Sequence, residues 1–378
     1  MSSYSIFDHQ MMARALELAK RGIYTTAPNP NVGCVIVQNG EIVGEGFHHK
    51  AGEPHAEVHA MRMAGSRTQG ATAYVTLEPC SHYGRTPPCA EGLINAKVAK
   101  VVCAMEDPNP KVAGRGIKML QQAGIEVEVG LLREEALALN PGFIKRMKTG
   151  MPFVQLKMAA SLDGQTALNN GQSQWITSPQ ARKDVQGFRA KAGAILSTSK
   201  TVVYDNATLN VRHSELPSQI KAVMSDEEVR QPTRVILDRT GQLDDSLKLW
   251  QAPGQILTVS HTDASHKQNA VATEVSVPLN TLGQLDLKET LSTLSKQHDI
   301  NHIWVEAGAT LARSLIEQQL VDEIVLYLAP KLMGSDGRGL FGALGLENMS
   351  DVLELDITDL RQVGSDIRVV ACLKQKED

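Results

Sequence analysis

The feature that most constrains this chain is a set of three soft metal ligands set far apart along it. They are His55 in His55-Ala56-Glu57, Cys80 after Pro79, and Cys89 after Pro88. A fold that brings one imidazole and two thiolates to a point makes a zinc site, because magnesium and calcium want oxygen instead. Three protein ligands leave a fourth position open, and an open position separates a catalytic zinc from a structural one. Zinc lowers the pKa of a bound water from about 15.7 toward 7, so hydroxide becomes available at neutral pH. Glu57 then has the place of a proton shuttle rather than a ligand.

The spacing sharpens this. Zinc nucleobase deaminases carry H-x-E followed by P-C-x-x-C, with the Glu outside the ligand set. Here eight residues, Ser81 to Pro88, separate the two cysteines where two are usual. A loop can bulge and return at Pro88-Cys89, where a new helix begins, and both thiolates then lie near helix N-termini that favour the anion. Taken singly, a His at a helix start is a cap or core residue, and two cysteines nine apart are small core residues. The order of the set, with Pro before the first cysteine and strands between, favours a catalytic zinc. A structural zinc wants a fourth protein ligand, for which His82 is the candidate. Cys34 and Cys103 lie in apolar strands and read as core. Five cysteines in 378 residues make no disulfide framework and fit a reducing cytoplasm.

The surrounding pattern is α/β. Asp8 is a candidate N-cap for a helix to Lys20 with Met12, Ala15, Leu16 and Ala19 on one face. A Pro-rich loop at 27–31 precedes two apolar runs, 32–37 and 41–47, joined by Asn39-Gly40, the strongest short hairpin signal. Helices at 55–64, 88–96 and 117–123 alternate with strands at 72–77, 100–105 and 125–129, which predicts a layered α/β/α sandwich on a mixed sheet. A helix over 133–146 leads to a basic stretch broken by Gly150 and Pro152, which divides the chain into domains 1–148 and 149–378. A second α/β pattern follows, with strands at 153–159, 194–197, 234–238, 255–260, 303–307 and 324–329 and helices at 179–192 and 311–318. Residues 202–232 and 260–279 read as irregular. The net charge of −4 argues against a broad basic surface for nucleic acid. No apolar run approaches the roughly 20 residues of a membrane span, and positions 1–10 show no secretory leader.

At this point whole motifs match a family. His55-Ala-Glu57-Val-His59, Thr76-Leu-Glu-Pro-Cys80-Ser-His-Tyr-Gly-Arg85-Thr-Pro-Pro-Cys89, Pro28-Asn-Pro-Asn-Val-Gly-Cys34 and Asp107-Pro-Asn-Pro110 resemble the bifunctional riboflavin-biosynthesis deaminase/reductases. So do Lys157-Met-Ala-Ala-Ser-Leu-Asp-Gly164, Ser173-Gln-Trp-Ile-Thr177 and Trp304-Val-Glu-Ala-Gly308. The long loop between the cysteines is that family's mark, and the match weakens between Val211 and His302. The resemblance implies a cytidine-deaminase-like first domain and a dihydrofolate-reductase-like second one. It implies zinc-dependent removal of the 2-amino group from 2,5-diamino-6-(5-phosphoribosylamino)pyrimidin-4(3H)-one. NADPH reduction of the ribosyl chain would then give 5-amino-6-(5-phosphoribitylamino)uracil. Within the deaminase it implies His55, Cys80 and Cys89 on zinc, Glu57 as acid/base, Asn29 and His48 on the pyrimidine, and Arg85 on the substrate phosphate.

The residues of the second domain say less. No G-x-G-x-x-G follows its first strand, so a Rossmann reading fails. The strand at 303–306 runs through Ala307-Gly-Ala-Thr310 into a helix, a natural phosphate site; the family often has Glu-Gly-Gly where this chain has Glu306-Ala-Gly308. The resemblance implies NADPH contacts from Ala159, Trp175, Thr201, Asp205, Gly308, Ala309, Thr310, Leu311, Ala312, Arg313 and Ser314. It implies substrate contacts from Lys157, Ser173, Arg189, Leu209, Arg212 and Glu306. The plainer readings are Trp175 as core and Arg189 on a solvated helix face. Asp163-Gly164 reads as a hairpin turn, and 334–339 as a surface turn rather than a phosphate loop. The resemblance also implies a homo-oligomer, dimer or tetramer, without nucleic acid or membrane. Two alternatives stand beside it: a nucleic-acid-editing zinc deaminase with an accessory domain, and a deaminase with a degenerate second domain.

Overall fold

The computed structural model describes residues 4–83, 87–110, 112–261 and 269–374, which divide into two compact units, Met1–Gly150 and Met151–Asp378. In the first, α1 (Ile6–Lys20) is followed by β1 (Gly33–Gln38), β2 (Glu41–Phe47), α2 (Ala56–Ala64), β3 (Thr72–Val75) and α3 (Cys89–Asn95). Then come β4 (Lys100–Cys103), α4 (Arg115–Gln122), β5 (Glu126–Val129), α5 (Arg133–Leu139) and α6 (Pro141–Thr149). The sheet runs β2-β1-β3-β4-β5, with β1 antiparallel to both neighbours and β3, β4 and β5 parallel, so it is mixed as expected. One face packs Ala56, Ala60, Ala90, Leu93 and Leu120 of α2, α3 and α4. The other packs Met12, Ala15, Leu16 and Ala136 of α1 and α5.

Two features position α2. Asn39 and Gly40 both have positive φ (52° and 81°), the geometry of the tight hairpin turn that Asn-Gly supplies. Gly44 and Gly46 then face α2: a Cβ there would lie 2.1 Å from the Ala60 carbonyl and 2.3 Å from the Ala56 carbonyl. Glycine on the strand and alanine on the helix are what let α2 lie directly on the sheet.

Three local expectations are corrected. The N-cap of α1 is Ser5, and Asp8 closes a reciprocal capping box with it. His55 is the N-cap of α2 rather than part of its first turn. The single helix expected over 133–146 is two, broken at Asn140 because Pro141 at the first helical position has no amide to continue the ladder.

The second unit is built on β6 (Phe153–Ser161), β7 (Gln165–Ala167), α7 (Pro179–Lys191), β8 (Ala194–Thr198), α8 (Ser199–Asp205), α9 (Ser218–Lys221), β9 (Thr233–Leu237), β10 (Ile256–His261) and β11 (Ala272–Val277). It continues through α10 (Leu287–Gln297), β12 (His302–Glu306), α11 (Ala309–Glu317), β13 (Glu323–Ala329), β14 (Arg338–Gly339), β15 (Leu355–Val363) and β16 (Asp366–Leu373). Its main sheet runs β11-β10-β9-β8-β12-β6-β13-β16-β15, parallel from β11 to β13 and antiparallel beyond. From β6 the chain goes outward through β8, β9, β10 and β11, returns as β12 between β8 and β6, then crosses to β13. Such a reversal leaves a crevice at the carboxyl ends of the strands, where open α/β sheets bind ligands. The structure adds α8, α9 and β11 to stretches read as irregular, and shows α10 and the β15–β16 hairpin, which the sequence reading did not place.

Candidate functional site

In the first unit the structure brings His55, Cys80 and Cys89 together, their ligand atoms all within 4.8 Å of one another. His55 is an extended N-cap (φ −74°, ψ 168°) whose ring makes no capping bond, so the imidazole turns away from the helix. Its Nδ1 lies 3.6 Å from Cys80 Sγ and 3.3 Å from Cys89 Sγ. Bonds of about 2.3 Å to sulfur and 2.05 Å to nitrogen at tetrahedral angles put S and N roughly 3.6 Å apart, so the three groups fit a zinc ion. Cys89 opens α3, its backbone amide donates to Cys80 Sγ at 3.2 Å, and Ala90 N donates to Cys80 O at 3.1 Å. Hydrogen bonds from Cys89 and His55 outweigh burial and hold the Cys80 thiol down at about 4. Cys89 is pushed up, first as donor to Cys80 and then by burial. No fourth protein ligand joins the cluster among the described residues, and His82 is exposed. That is the open arrangement expected of a catalytic zinc.

Glu57, in the first turn of α2, is 3% exposed. Burial raises its pKa, followed by the nearby Cys80 charge. Raising a carboxylic acid toward neutrality suits it to take and return a proton. Asn29 and His48 meet as well: Asn29 Nδ2 is 3.0 Å from His48 Nε2, and His48 Nδ1 is 3.2 Å from Pro54 O. With Nδ1–H donating to that carbonyl, Nε2 accepts from the Asn29 amide, and burial lowers the His48 pKa to favour the neutral ring. The His48 ring packs edge-on against His55, centroids 5.3 Å apart. Asn140, at the break between α5 and α6, exchanges hydrogen bonds with Asn31 (2.7 Å and 2.9 Å) and so fixes the loop carrying Asn29. Arg85 lies outside the described residues.

Sequence reasoning missed Glu78. It is 5% exposed, and its carboxylate accepts from the backbone amides of Asp107 (3.0 Å), Gly114 (2.9 Å), Gly116 (2.8 Å) and Ile117 (3.3 Å). It ties the Asp107-Pro-Asn-Pro110 loop and the start of α4 to the Pro79-Cys80 corner. A Cβ at Gly116 would sit 2.0 Å from Pro79 O, so the approach requires glycine.

In the second unit, the carboxyl end of β12 presents Glu306. Arg189 on α7 grips it with two bonds, 2.6 Å and 2.9 Å, Trp304 Nε1 donates at 2.8 Å, and Ser197 holds the Glu306 carbonyl at 2.6 Å. Burial pushes the Glu306 pKa up, but the Arg189 charge and bonds, then Lys157, outweigh it and hold it at about 2. Lys157 on β6 is lowered by burial against the Glu306 charge. Arg189 is therefore a buried partner rather than a solvated charge. Arg212 pairs with Glu215 at 2.7 Å. Asp205 is reached by Gln174 Nε2 at 3.5 Å, and Thr201 faces Thr198 at 3.1 Å.

Trp175, read as core on the plainer view, is 65% exposed, with the Arg182 guanidinium 4.4 Å from its ring centroid and Lys331 Nζ donating to its carbonyl at 2.7 Å. Ser173 is half-buried and Ala159 packs at the edge of the core. The Leu311, Ala312 and Leu209 side chains lie in the core, so any contact these residues make with a ligand is through backbone. Gly308 and Thr310 are exposed and Ala309 is half-buried. Gly308 caps α11 without a side-chain bond, and a Cβ there would meet nothing within 4 Å. Uncapped amides, open space and a crevice at the strand ends fit a dinucleotide phosphate. Arg313 and Ser314 are half-buried on that helix. Asp163 closes its turn and also accepts from Met333 N (2.9 Å) and Gly334 N (2.8 Å), so the 334–339 stretch is held as structure.

Residues 5–105 match the model of the cytidine and deoxycytidylate deaminase zinc-binding region, and residues 152–369 match that of the RibD C-terminal domain. The riboflavin biosynthesis protein RibD of Escherichia coli K12 is 54% identical over 360 residues, covering 95% of this chain and 98% of that protein. The Haemophilus influenzae protein of the same name is 52% identical over 371 residues, covering 98% of each. Among solved structures, Acinetobacter baumannii RibD aligns with a TM-score of 0.90 at 47% identity, over 98% of this chain and 99% of that one. A Thermotoga maritima diaminohydroxyphosphoribosylaminopyrimidine deaminase/5-amino-6-(5-phosphoribosylamino)uracil reductase aligns at 0.83 and 32%, over 97% and 99%. The fold class is the one expected, a cytidine-deaminase-like unit followed by a reductase unit of the RibD type.

Proposed function

The chain belongs to the RibD family of riboflavin-biosynthesis deaminase/reductases, and on that premise we propose which residues carry each of its two reactions. It is an enzyme of riboflavin biosynthesis that uses zinc and NADPH, deaminating a diaminopyrimidine phosphate and reducing the ribosyl chain of the product. Family matches along both units favour this over nucleic-acid editing and over a degenerate second domain.

The observation that carries the residue assignment is the pairing of an open His55/Cys80/Cys89 cluster with the buried Glu57, whose pKa burial raises. Zinc held there supplies an acidified water for attack on the ring carbon. Glu57 takes the proton released in that attack and delivers it to the departing 2-amino group. Asn29, locked by His48, presents its carbonyl oxygen to the ring, and Arg85 pairs with the phosphate. Residues 1–148 perform this step. Residues 149–378 perform the reduction. There Lys157, Arg189 and Glu306, with Ser173, Leu209 and Arg212, hold the sugar phosphate. Ala159, Trp175, Thr201, Asp205 and the 308–314 segment hold NADPH. Hydride transfer needs orientation of the two reactants rather than a side-chain nucleophile.

The assignment is tested by Glu57→Ala: the variant folds and keeps its zinc, and deamination is lost. Unchanged turnover would remove Glu57 from the mechanism.

The same reading includes a homo-oligomer in the cytoplasm, acting on a small molecule without nucleic acid. No helix among the described residues is long and apolar enough to cross a membrane. Support for self-association is β15, a sheet-edge strand of nine residues exposing Leu355, Ile357 and Leu360. Long exposed edges invite pairing. Light scattering of Ile357→Lys against the parent chain tests it, with dissociation expected and an unchanged mass contradicting it.

A further inference from the structure

We propose that Gln186 is a positioning residue of the reductase: it holds Arg212, and the carboxylate that braces Arg212, in register with Arg189 and Glu306. The inference rests on the reading of Arg212 as a substrate contact given above. Gln186 and Arg189 stand three residues apart on α7, so they share one face of the helix. Gln186 is 2% exposed, and its amide makes both of its bonds inside the unit. Its Oε1 accepts from the Arg212 backbone amide at 3.1 Å, and its Nε2 donates to Glu215 Oε2 at 3.3 Å. Glu215 in turn takes the Arg212 guanidinium with both oxygens, at 2.7 Å and 2.8 Å. One buried amide therefore steadies both the backbone and the head of one exposed cation.

Residues 206–212 form no helix or strand. Such a segment has no ladder to hold it, and its inward backbone groups need other partners. Here four consecutive groups find them on side chains. Arg189 Nη1 donates to Asn210 O at 3.0 Å, Gln231 brackets Val211 with bonds of 2.9 Å to its N and 2.9 Å to its O, and Gln186 takes the amide of Arg212. The same Arg189 grips Glu306 through its other two nitrogens. Buried side chains of α7 thus tie the Arg212 segment to the carboxyl end of β12.

The chemistry of the amide fixes its direction. A backbone N–H can only donate and a carboxylate can only accept, so one orientation of the Gln186 amide satisfies both partners. The Arg212 bonds outweigh burial and hold the Glu215 carboxyl below its ordinary range, which keeps it the anion that this orientation requires. A side chain that only filled the core would need neither bond. Gln186→Glu keeps the size and the acceptor but sets a second carboxylate against Glu215, so the brace on Arg212 opens while the packing stays. Exchanging the two groups, Gln186→Glu with Glu215→Gln, restores a donor between them.

The experiment follows NADPH oxidation by the zinc-loaded full chain with the deaminated ribosyl phosphate as substrate, for the parent and for Gln186→Glu, the exchange pair, Gln186→Met and Arg212→Gln. Thermal midpoints are measured alongside. Gln186→Glu is expected to raise KM for the ribosyl phosphate about tenfold, as befits the loss of one hydrogen bond, with kcat and the KM for NADPH near the parent's. The exchange pair recovers most of that loss, which a packing role would not do. Gln186→Met buries no added charge and raises the same KM, so the test stands even where Gln186→Glu does not fold. A parent-like KM in the Gln186 variants, or a raised KM that the exchange pair leaves raised, would overturn the proposal. Arg212→Gln separates this from the reading beneath it: it too is expected to raise that KM, and an unchanged value would overturn the substrate role of Arg212 itself.

Discussion

Asn29 and His48 share one hydrogen bond, 3.0 Å from amide to ring, and His48 spends its other nitrogen on the Pro54 carbonyl. The ring therefore fixes which end of the Asn29 amide is left free, the end that the proposed reading gives to the substrate. Replacing His48 with Phe keeps the ring's bulk and frees the amide to turn. KM for the diaminopyrimidine should rise about tenfold, as befits one hydrogen bond of roughly 1–1.5 kcal/mol, with kcat falling less. Steady-state kinetics separates the two, and an unchanged KM would remove Asn29's fixed orientation from the account.

Glu78 makes a stronger demand. Glu78→Ala leaves four backbone amides without their acceptor, and an orphaned buried donor costs about 1–3 kcal/mol. We expect a lower thermal midpoint and reduced zinc content, because the same residue braces the Pro79-Cys80 corner. Zinc analysis of the refolded variant, together with its melting curve, checks this. Full zinc occupancy and parent-like stability would show that the brace is dispensable.

The Glu306–Arg189 pair has a pH signature. The folded pKa of Glu306, about 2, lies below its ordinary value of 4.5, so its contribution to stability is present above pH 4.5. It is lost as pH falls from there toward about 2, and is on the order of 3 kcal/mol in full. Denaturant unfolding of the parent and of Glu306→Gln across that window should show the gap between them closing as acid is added. A gap independent of pH would contradict the pairing.

These residues differ in how openly the sequence declares them. His55, Cys80 and Cys89 are ligand types with few other uses in that order, so their convergence could be expected before any coordinates. Glu78 could not, because its partners are backbone amides at 107–117 that carry no side-chain signature. Strand β15 escaped because it is exposed on both faces and lacks the alternation that marks a half-buried strand. Helix α10 escaped because Thr290, Ser292, Thr293 and Ser295 are buried beside its leucines, which blurs the apolar stripe. The break before Pro141 was present in the sequence as a plain proline signal. Leu311 and Ala312 show the converse: a resemblance marks a segment, while helix periodicity decides which of its side chains reach a ligand.

The account turns on deamination by Glu57 preceding reduction in the second unit. NADPH oxidation by Glu57→Gln, started with the diaminopyrimidine phosphate and then supplemented with the deaminated ribosyl compound, tests this most directly. The predicted trace is flat at first, at least about a hundredfold below the parent chain, and then rises to the parent rate on supplementation. Parent-rate oxidation before the supplement, or none after it, would contradict the account.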